Sequence, residues 1–280
     1  MSDMTGAKAP ILGPILLVGC GKMGGALLGG WLDQGVAADQ VLVVEPALDA
    51  DRSAVPAGVT VLADAAGIPA DFAPAVVIFA VKPQVMGEVV PNYDRFVAGG
   101  AVFLSIAAGT PIGFFEKNLG AGAAVVRVMP NTPAAVRRGM SVLCPNAHAD
   151  QAQQDLCAGL MAAVGDTAWL VDEGLMDAVT AVSGSGPAYV FHLIECLAQA
   201  AVDVGLEPDL AARLALQTVS GSGELARLSD DDAAQLRINV TSPGGTTQAA
   251  LEVLMGDGGL QPLMTAAVRA AKKRGRELGA

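Results

Sequence analysis

Short runs of consecutive apolar residues alternate with helical patterns through the first part of the chain, from Ile15 to about Val171. The runs are uniformly apolar rather than alternating, which is typical of strands in a parallel sheet covered on both faces. This arrangement predicts an open α/β fold. The predicted strands are residues 15–18, 41–44, 59–62, 76–80, 101–105, 124–129, 141–143 and 168–171.

After about Asp172 the strand signals stop and only helical patterns follow. Pro187 and Pro208 suit the first turns of two of these helices, where a missing N–H costs nothing. Ser229 is expected to cap a third helix that begins at Asp230. The predicted helices are residues 187–204, 208–228, 230–240, 246–255 and 260–278.

The first predicted helix of this half, residues 187–204, is apolar on nearly every side. Its only charged residues are Glu195 and Asp203. Such a helix is buried, either by its own domain or by a partner. We therefore expect a loose tail over residues 1–14, an α/β domain over 15–172, and an all-helical domain over 173–280 that also oligomerises.

The composition strengthens the case for extra buried surface. Of the 280 residues, 52% are hydrophobic and only 16% are charged, against about 25% charged in ordinary soluble domains. A membrane span is the alternative explanation, and the longest uncharged run, residues 96–115, has nominally the right length. Gly99-Gly100 and Thr110-Pro111 interrupt that run, so it is better explained by a buried strand followed by a helix from Pro111.

Residues 17–20 also have the form of a bacterial lipoprotein cleavage box. A secretory segment needs a basic start and an uninterrupted apolar stretch. Only Lys8 is basic here, and Pro10 and Pro14 interrupt the apolar stretch. We therefore interpret these residues as a strand that runs into a glycine turn.

The net charge of −11 argues against a nucleic-acid partner, whose phosphates would be repelled. The few cysteines and histidines lie far apart, so neither a metal site nor a disulfide framework is expected. Reduced thiols in the cytoplasm are the expected state. These residues are Cys20, Cys144, Cys157, Cys196, His148 and His192.

A glycine turn follows the first predicted strand and opens a helix. In dinucleotide-binding folds the first glycine permits the tight turn, the second lets a pyrophosphate approach the backbone, and the third lets helix and strand pack closely. The helix N-terminus then offers free N–H groups to phosphate. The turn consists of Gly19, Cys20, Gly21, Lys22, Met23 and Gly24.

Glu45 ends the next predicted strand, 21 residues beyond Gly24. A carboxylate at this point accepts hydrogen bonds from the ribose hydroxyls of NAD and repels a 2′-phosphate. Arg52, in the loop that follows, is placed to reach a 2′-phosphate. The sequence therefore leaves both NADH and NADPH open, with Glu45 favouring NADH; a plain solvated glutamate is the alternative.

Ligands of open α/β sheets bind beyond the carboxyl ends of the strands. Three further predicted strands end in candidate segments: Ala80-Val81-Lys82-Pro83, residues 105–109, and residues 129–133. Turn chemistry alone explains glycine and proline there. Asn131, between two prolines, is placed to hold a carboxamide or a ribose hydroxyl.

Two glycine-rich turns lie in the helical half, at residues 183–187 and 241–247. The second offers hydroxyls and free N–H groups at a helix start, which suits a small carboxylate. The alternative is an ordinary interhelical turn in which Thr246 or Ser242 caps the helix.

Taken together, residues 19–24, 80–83, 126–133, 177–189 and 239–247 resemble the pyrroline-5-carboxylate reductases. The resemblance runs in order through nearly the whole chain. It implies a Rossmann-type dinucleotide-binding domain followed by an all-α dimerisation domain, and the last step of proline biosynthesis, the reduction of 1-pyrroline-5-carboxylate to L-proline with NADPH or NADH. It also implies a homodimer of interlocked helical domains, commonly assembled into a decamer of five dimers.

The resemblance further implies that Thr247 hydrogen-bonds the substrate ring nitrogen. Ser242 and the amides of Gly244, Gly245, Thr246 and Thr247 would hold the substrate carboxylate. The family often has a polar or basic patch where this chain has Glu45-Pro46, so the departure leaves cofactor preference open. The site would lie between one subunit's cofactor domain and helices of the dimer.

The chemistry of a cyclic imine agrees with this site. Reduction of a ketone usually needs a positioned acid, and the helical half offers only Tyr189 and His192 before Lys272. A protonated imine is already electrophilic, so the protein mainly aligns the nicotinamide with the imine carbon.

Two alternatives remain. A β-hydroxyacid dehydrogenase shares the glycine opening and an all-α second domain, but needs a catalytic lysine just after the domain boundary. This chain has no lysine between Lys117 and Lys272. A non-catalytic dinucleotide-sensing regulator would keep the glycine turn but would not need residues 241–247.

Overall fold

Successive residues of the central strands are buried on opposite faces of one sheet. The computed structural model of the chain describes residues 13–46 and 55–279. In strand β1 (Ile15–Val18) all four side chains are buried. Ile15 and Leu17 join the core on one face, whereas Leu16 and Val18 join the core on the other. The prediction of a sheet covered on both faces is therefore confirmed.

Within residues 13–46 and 55–279 the sheet has eight strands in the order β3-β2-β1-β4-β5-β6-β7-β8. Strands β1 to β6 are parallel, but β7 pairs antiparallel with β6, and β8 is parallel to β7. The expected parallel sheet thus ends at β6, because the short link to β7 has no room for the crossover that a parallel pair requires. After β1 the strands are β2 (Val41–Val44), β3 (Thr60–Leu62), β4 (Val76–Phe79), β5 (Val102–Ser105), β6 (Ala124–Met129), β7 (Gly139–Pro145) and β8 (Gly165–Trp169).

The order of the strands reverses beside β1, which lies between β2 and β4. In such sheets ligands bind in the crevice outside the carboxyl ends of the strands at this reversal. The glycine turn follows β1 directly, Glu45 follows β2, and Ala80 follows β4. The fold therefore brings these three predicted segments to one edge of the sheet.

Helices cover both faces of the sheet. On one face Trp31 is fully buried, and its Nε1 donates to the carbonyl of Leu160 at 2.9 Å. On the other face the rings of Phe79, Phe103 and Phe115 stack at centroid distances of 6.2 and 5.7 Å from Phe79. The helices of this part are α1 (Lys22–Asp33), α2 (Met86–Val89), α3 (Ile112–Leu119), α4 (Gln151–Ala162) and α5 (Met176–Val179).

The described residues form two compact units. One comprises the described residues up to Gly184 together with 273–279, and the other comprises residues 185–272. The predicted domain boundary after Asp172 stays a prediction; of the predicted tail, residues 1–12 lie outside the described residues. The remaining helices are α6 (Gly186–Asp203), α7 (Pro208–Leu228), α8 (Ala233–Asn239), α9 (Thr246–Leu254) and α10 (Leu260–Gly279).

One predicted cap is wrong. Helix α8 begins at Ala233, and its cap is Asp232, whose Oδ1 accepts from the N–H of Gln235 at 2.8 Å. The hydroxyl of Ser229 instead accepts from the N–H of Asp231 at 3.0 Å, within the preceding turn. An aspartate three residues before a free N–H is an equally good cap, so the run of three aspartates made the start ambiguous. Pro187 and Pro208 do lie in first turns, as predicted.

The helical unit leaves much of its apolar surface exposed in the single chain. Helix α6 contains no buried residue, although its sequence is apolar on nearly every side. In the described residues no helix is both long enough and apolar enough to cross a membrane. Large apolar side chains exposed on α6 and α7 are Val190, Phe191, Leu193, Leu197, Leu210, Leu214, Leu216, Leu225 and Leu228.

Candidate active site

The glycine turn has the geometry that its sequence predicted. Gly19 has φ +93°, and its N–H donates to the carbonyl of Val44 at 2.8 Å. A Cβ on Gly24 would lie 2.5 Å from the carbonyl oxygen of Gly19, so helix and turn touch at this point. A Cβ on Gly21 would meet nothing within 4 Å, which leaves open space beside the backbone where a ligand phosphate can approach.

Helix α1 starts at this turn without a side-chain cap. Gly21 is its N-cap residue, and no side chain bonds the first-turn N–H groups. Lys22 is exposed at the helix start, and Met23 packs against the core. An uncapped N-terminus of a twelve-residue helix carries partial positive charge and free donors, which suits a phosphate.

A cleft of about 530 Å³ opens beside the turn, at the carboxyl ends of β1, β2, β3 and β4. Of the predicted segment after β4, Ala80, Val81 and Lys82 line the cleft, and Pro83 begins the 3-10 helix Pro83–Val85. The volume and the mixed apolar and polar walls suit a nucleotide. The remaining lining residues are Val18, Gly21, Val44, Glu45, Pro46, Ala63, Asp64, Ala65, Val85, Glu88, Val89, Asn92 and Tyr93.

Glu45 is fixed at the mouth of this cleft. Its Oε2 accepts from the backbone N–H of Cys20 at 2.7 Å, and its own N–H donates to the carbonyl of Leu62 at 2.9 Å. The carboxylate therefore lies directly beside the glycine turn, as an acceptor for ribose hydroxyls must. Burial raises the pKa of the Cys20 thiol, and the negative charge of Glu45 raises it further. Cys20 is accordingly a buried, neutral thiol.

Sequence reasoning missed four polar residues of the cleft: Asp64, Glu88, Asn92 and Tyr93. Asp64 lies two residues after the end of β3, as Glu45 lies one residue after the end of β2, and a carboxylate just beyond a strand end was the available signal. Burial raises the pKa of the Tyr93 hydroxyl, and the Asp64 carboxylate adds to the shift. Tyr93 is thus a neutral hydroxyl at the cleft wall.

Asn131 joins three segments of the sheet unit. Its Oδ1 accepts from the N–H of Met140 at 2.8 Å, and its Nδ2 donates to the carbonyl and hydroxyl of Ser183 at 3.3 and 3.2 Å. Ser183 lies in a π-helical turn, Thr180–Gly184, a form that often marks functional sites. The amide is therefore engaged within the protein, and its predicted contact with the cofactor stays a prediction.

The second glycine-rich loop of the helical unit, residues 241–247, ends at the start of α9. Gly244 has φ +70°, and its N–H donates to Oε1 of Gln248 at 2.7 Å; the N–H of Gly245 donates to the carbonyl of Ser242 at 3.0 Å. Gly245 is the N-cap residue and no side chain caps the helix, so the alternative in which Thr246 or Ser242 caps α9 is wrong. Among the described residues no acceptor is found for the N–H groups of Thr246 and Thr247.

Two of the four amides assigned to the substrate carboxylate thus have partners within the protein, Gly244 in α9 and Gly245 in the loop. The open donors are those of Thr246 and Thr247, and the hydroxyl of half-buried Thr247 lies on the same turn. Across residues 13–46 and 55–279 no three histidine, cysteine, aspartate or glutamate side chains come together as a metal-ligand set.

Two family models match the chain. The model described as pyrroline-5-carboxylate reductase dimerisation matches residues 173–278, and the model described as NADP oxidoreductase coenzyme F420-dependent matches residues 14–109. The pyrroline-5-carboxylate reductase of Pseudomonas aeruginosa is 41% identical over 94% of this chain and 96% of its own length. That of Pisum sativum is 38% identical over 93% of this chain and 94% of its own length.

Solved structures agree in fold along nearly the whole length. A pyrroline-5-carboxylate reductase from Coxiella burnetii has a TM-score of 0.89 at 34% identity, with 96% of this chain and 99% of that chain covered. The Plasmodium falciparum pyrroline carboxylate reductase with NADP bound has a TM-score of 0.79 at 29% identity, with 95% and 98% covered.

Proposed function

The chain belongs to the pyrroline-5-carboxylate reductase family, and we propose that its two described sites serve one reaction: the cleft beside Gly19–Gly24 holds the dinucleotide, and the loop before α9 holds the substrate. The protein is an NAD(P)H-dependent oxidoreductase that reduces the C=N bond of 1-pyrroline-5-carboxylate to give L-proline, the last step of proline biosynthesis. The observation that carries the substrate site is the uncapped first turn of α9, with open N–H groups at Thr246 and Thr247.

The residues of the cleft fit the cofactor. Open space at Gly21 and the uncapped start of α1 suit the pyrophosphate, and Glu45 is positioned for a ribose. Ala80, Val81 and Lys82 contribute a further wall, and we assign Cys20, Lys22 and Pro83 to the same site by their place in the sequence. When bound, NAD(P)H would supply a hydride to the carbon of the protonated imine, which leaves a neutral ring nitrogen; this amine takes a proton from water to give the protonated amine of proline.

The substrate loop supplies orientation rather than acid catalysis. The N–H groups of Thr246 and Thr247, with the positive end of the α9 dipole, hold the substrate carboxylate, and the Ser242 hydroxyl assists. Thr247 Oγ1 hydrogen-bonds the ring nitrogen and fixes which face of the ring is presented. Gly244 and Gly245 shape the turn, since their N–H groups are used within it.

The protein self-associates through its dimerisation region, residues 173–278. Exposed apolar side chains such as Phe191 (59% exposed) and Leu193 (47%) support this, because monomers rarely leave so many on one element. We further assign a decamer of five dimers by family resemblance. We assign a cytoplasmic location, supported by four free cysteines of which three are buried.

The variant Thr247→Ala tests the substrate assignment. Loss of a hydrogen bond to the ring nitrogen lowers kcat/KM for pyrroline-5-carboxylate by about 10- to 100-fold. The Kd for the dinucleotide, titrated without substrate, stays within about twofold of the parent value. Thr247→Ser keeps the hydroxyl and restores most of the activity. An unchanged kcat/KM in Thr247→Ala contradicts the assigned role.

A further inference from the structure

We infer that this chain selects NADH over NADPH, and that Glu45 and Asp64 together determine the choice. The inference rests on the proposed function in that the cleft beside the glycine turn is taken as the dinucleotide site. It adds a residue, Asp64, and a direction of selectivity that the reductase activity itself does not require.

Glu45 is held at the cleft by its side chain and by its backbone. Its carboxylate is bound by the N–H of Cys20 at 2.7 Å, and its backbone is bound to Leu62 of the neighbouring strand. A carboxylate held in this way accepts hydrogen bonds from both ribose hydroxyls. Displacing it to admit a phosphate breaks a charge-assisted hydrogen bond and leaves the N–H of buried Cys20 without its acceptor.

Asp64 adds a second negative charge on the adjacent strand end. Val44 and Leu62 are register partners in β2 and β3; Glu45 follows Val44 directly, and Asp64 follows Leu62 after one residue, Ala63. Oδ1 of Asp64 accepts from the N–H of Gly67 at 3.1 Å, which fixes the side chain at the start of the 3-10 helix Ala65–Gly67. Both residues line the same cleft.

The charges along the described wall of the cleft favour the less charged cofactor. The described lining carries three carboxylates, those of Glu45, Asp64 and Glu88, and one ammonium, that of Lys82. A 2′-phosphate brings a further charge of about −1.5 to −2 at neutral pH. Sites that accept this phosphate use an arginine to meet it, and the described lining contains none.

Arg52 is the one cation near Glu45 in the sequence that could meet a 2′-phosphate. Arg52, which follows Glu45 in the sequence, lies outside the described residues. If the Arg52 side chain binds the 2′-phosphate, removing it weakens the binding of NADPH and not that of NADH. If the carboxylates determine which cofactor is preferred, removing Arg52 does not weaken NADPH binding selectively.

The experiment titrates NADH and NADPH separately into the full chain, without pyrroline-5-carboxylate, by nucleotide fluorescence and calorimetry. The variants are Glu45→Gln and Asp64→Asn, which keep an acceptor oxygen for their backbone partners. Arg52→Ala is added for the reason above. The matched control is Asp39→Asn, which removes the same charge at the other end of β2, just before Val41.

The parent protein is expected to bind NADH at least about tenfold more tightly than NADPH. Glu45→Gln brings the ratio of the two Kd values to within about threefold, and Asp64→Asn has an intermediate effect. Asp39→Asn and Arg52→Ala leave the preference for NADH in place. Raising the ionic strength narrows the ratio in the parent protein, because salt screens the repulsion.

Three results overturn the inference: equal Kd values in the parent protein, an unchanged ratio in Glu45→Gln, or a selective loss of NADPH affinity in Arg52→Ala. Binding is measured without substrate, so the two proposals fail separately. Selective NADH binding without reduction of pyrroline-5-carboxylate keeps this inference and overturns the proposed function.

Discussion

Gly24 is the residue at which the structure gives the sharpest account of cofactor binding. A Cβ at this position would lie 2.5 Å from the carbonyl oxygen of Gly19 and 3.3 Å from Cβ of Ala80. Ordinary contact begins at 3.4 Å, so in Gly24→Ala the start of α1 must retreat by roughly 0.9 Å, or the turn must deform. Overpacking of this kind costs about 1–3 kcal/mol of unfolding free energy.

The same displacement moves the N–H groups that receive the pyrophosphate. A shift of about 1 Å at a positioned site costs on the order of a hundredfold in the function it supports. We therefore expect Gly24→Ala to raise the Kd for the preferred dinucleotide by at least about tenfold, or roughly 1.4 kcal/mol. The assay is direct nucleotide titration, with urea unfolding followed by the fluorescence of buried Trp31.

The neighbouring glycine provides a matched control. A Cβ on Gly25 would meet nothing within 4 Å, although it lies in the same helical turn. Gly25→Ala is therefore expected to stabilise the helix by about 0.5–1 kcal/mol and to leave the Kd unchanged. Parent-like binding by Gly24→Ala, or equal losses in both variants, refutes the packing argument.

An ion pair with one buried partner and the exposed apolar side chains of α6 give two further predictions. Arg127 is 6% exposed and donates at 2.7 Å to Glu173, whose side chain is 30% exposed. Glu173→Gln leaves the buried guanidinium without a charged partner and is expected to lower the urea unfolding free energy by about 2–3 kcal/mol. The double variant Arg127→Met with Glu173→Leu is expected to recover most of that loss in unfolding free energy, because it leaves no buried charge without a partner. A double variant that is less stable than Glu173→Gln contradicts this explanation. Phe191→Glu is expected to shift sedimentation towards monomer, because self-association would desolvate the new charge. The control Gln217→Glu changes an exposed polar residue and is expected to leave sedimentation unchanged. If both variants assemble like the parent protein, Phe191 lies outside the self-association surface.

The sheet was predictable because its strands carry their own signal. Strands β1 and β2 have the predicted bounds, since a strand buried on both faces is apolar throughout. Strand β6, whose one charged residue is Arg127, and helix α7 also have the predicted bounds. Strand β8 was predicted at residues 168–171 and is found at Gly165–Trp169. The prediction was misled by Val171, which is apolar but 98% exposed. At a sheet edge burial no longer requires an apolar residue, so the pattern loses its meaning there.

The glycine turn was predictable for a different reason. Each glycine is required by a local steric constraint, and the spacing of the three is fixed by the turn and the first helical residues. Contacts between residues that are distant in the sequence have no corresponding sequence pattern. The hydrogen bond from Cys20 to Glu45 spans 25 residues, and the Arg127–Glu173 pair spans 46. No periodicity connects such partners, because only the folded sheet brings them together.

The loop before α9 shows the limit most clearly. Its composition indicated free N–H groups at a helix start, and the open amides of Thr246 and Thr247 agree. The partners of Gly244 and Gly245 depend on Gln248 turning back and on the conformation of the turn. Residue types alone do not determine which donors remain available.

Reduction of pyrroline-5-carboxylate is measured most directly by following nicotinamide oxidation at 340 nm with this substrate, beside pyruvate and other 2-keto acids, for both NADH and NADPH. We expect oxidation that depends on pyrroline-5-carboxylate, with one L-proline formed per dinucleotide consumed and only background rates for the keto acids; the assigned reaction requires this result. Oxidation supported by a 2-keto acid but not by pyrroline-5-carboxylate contradicts it.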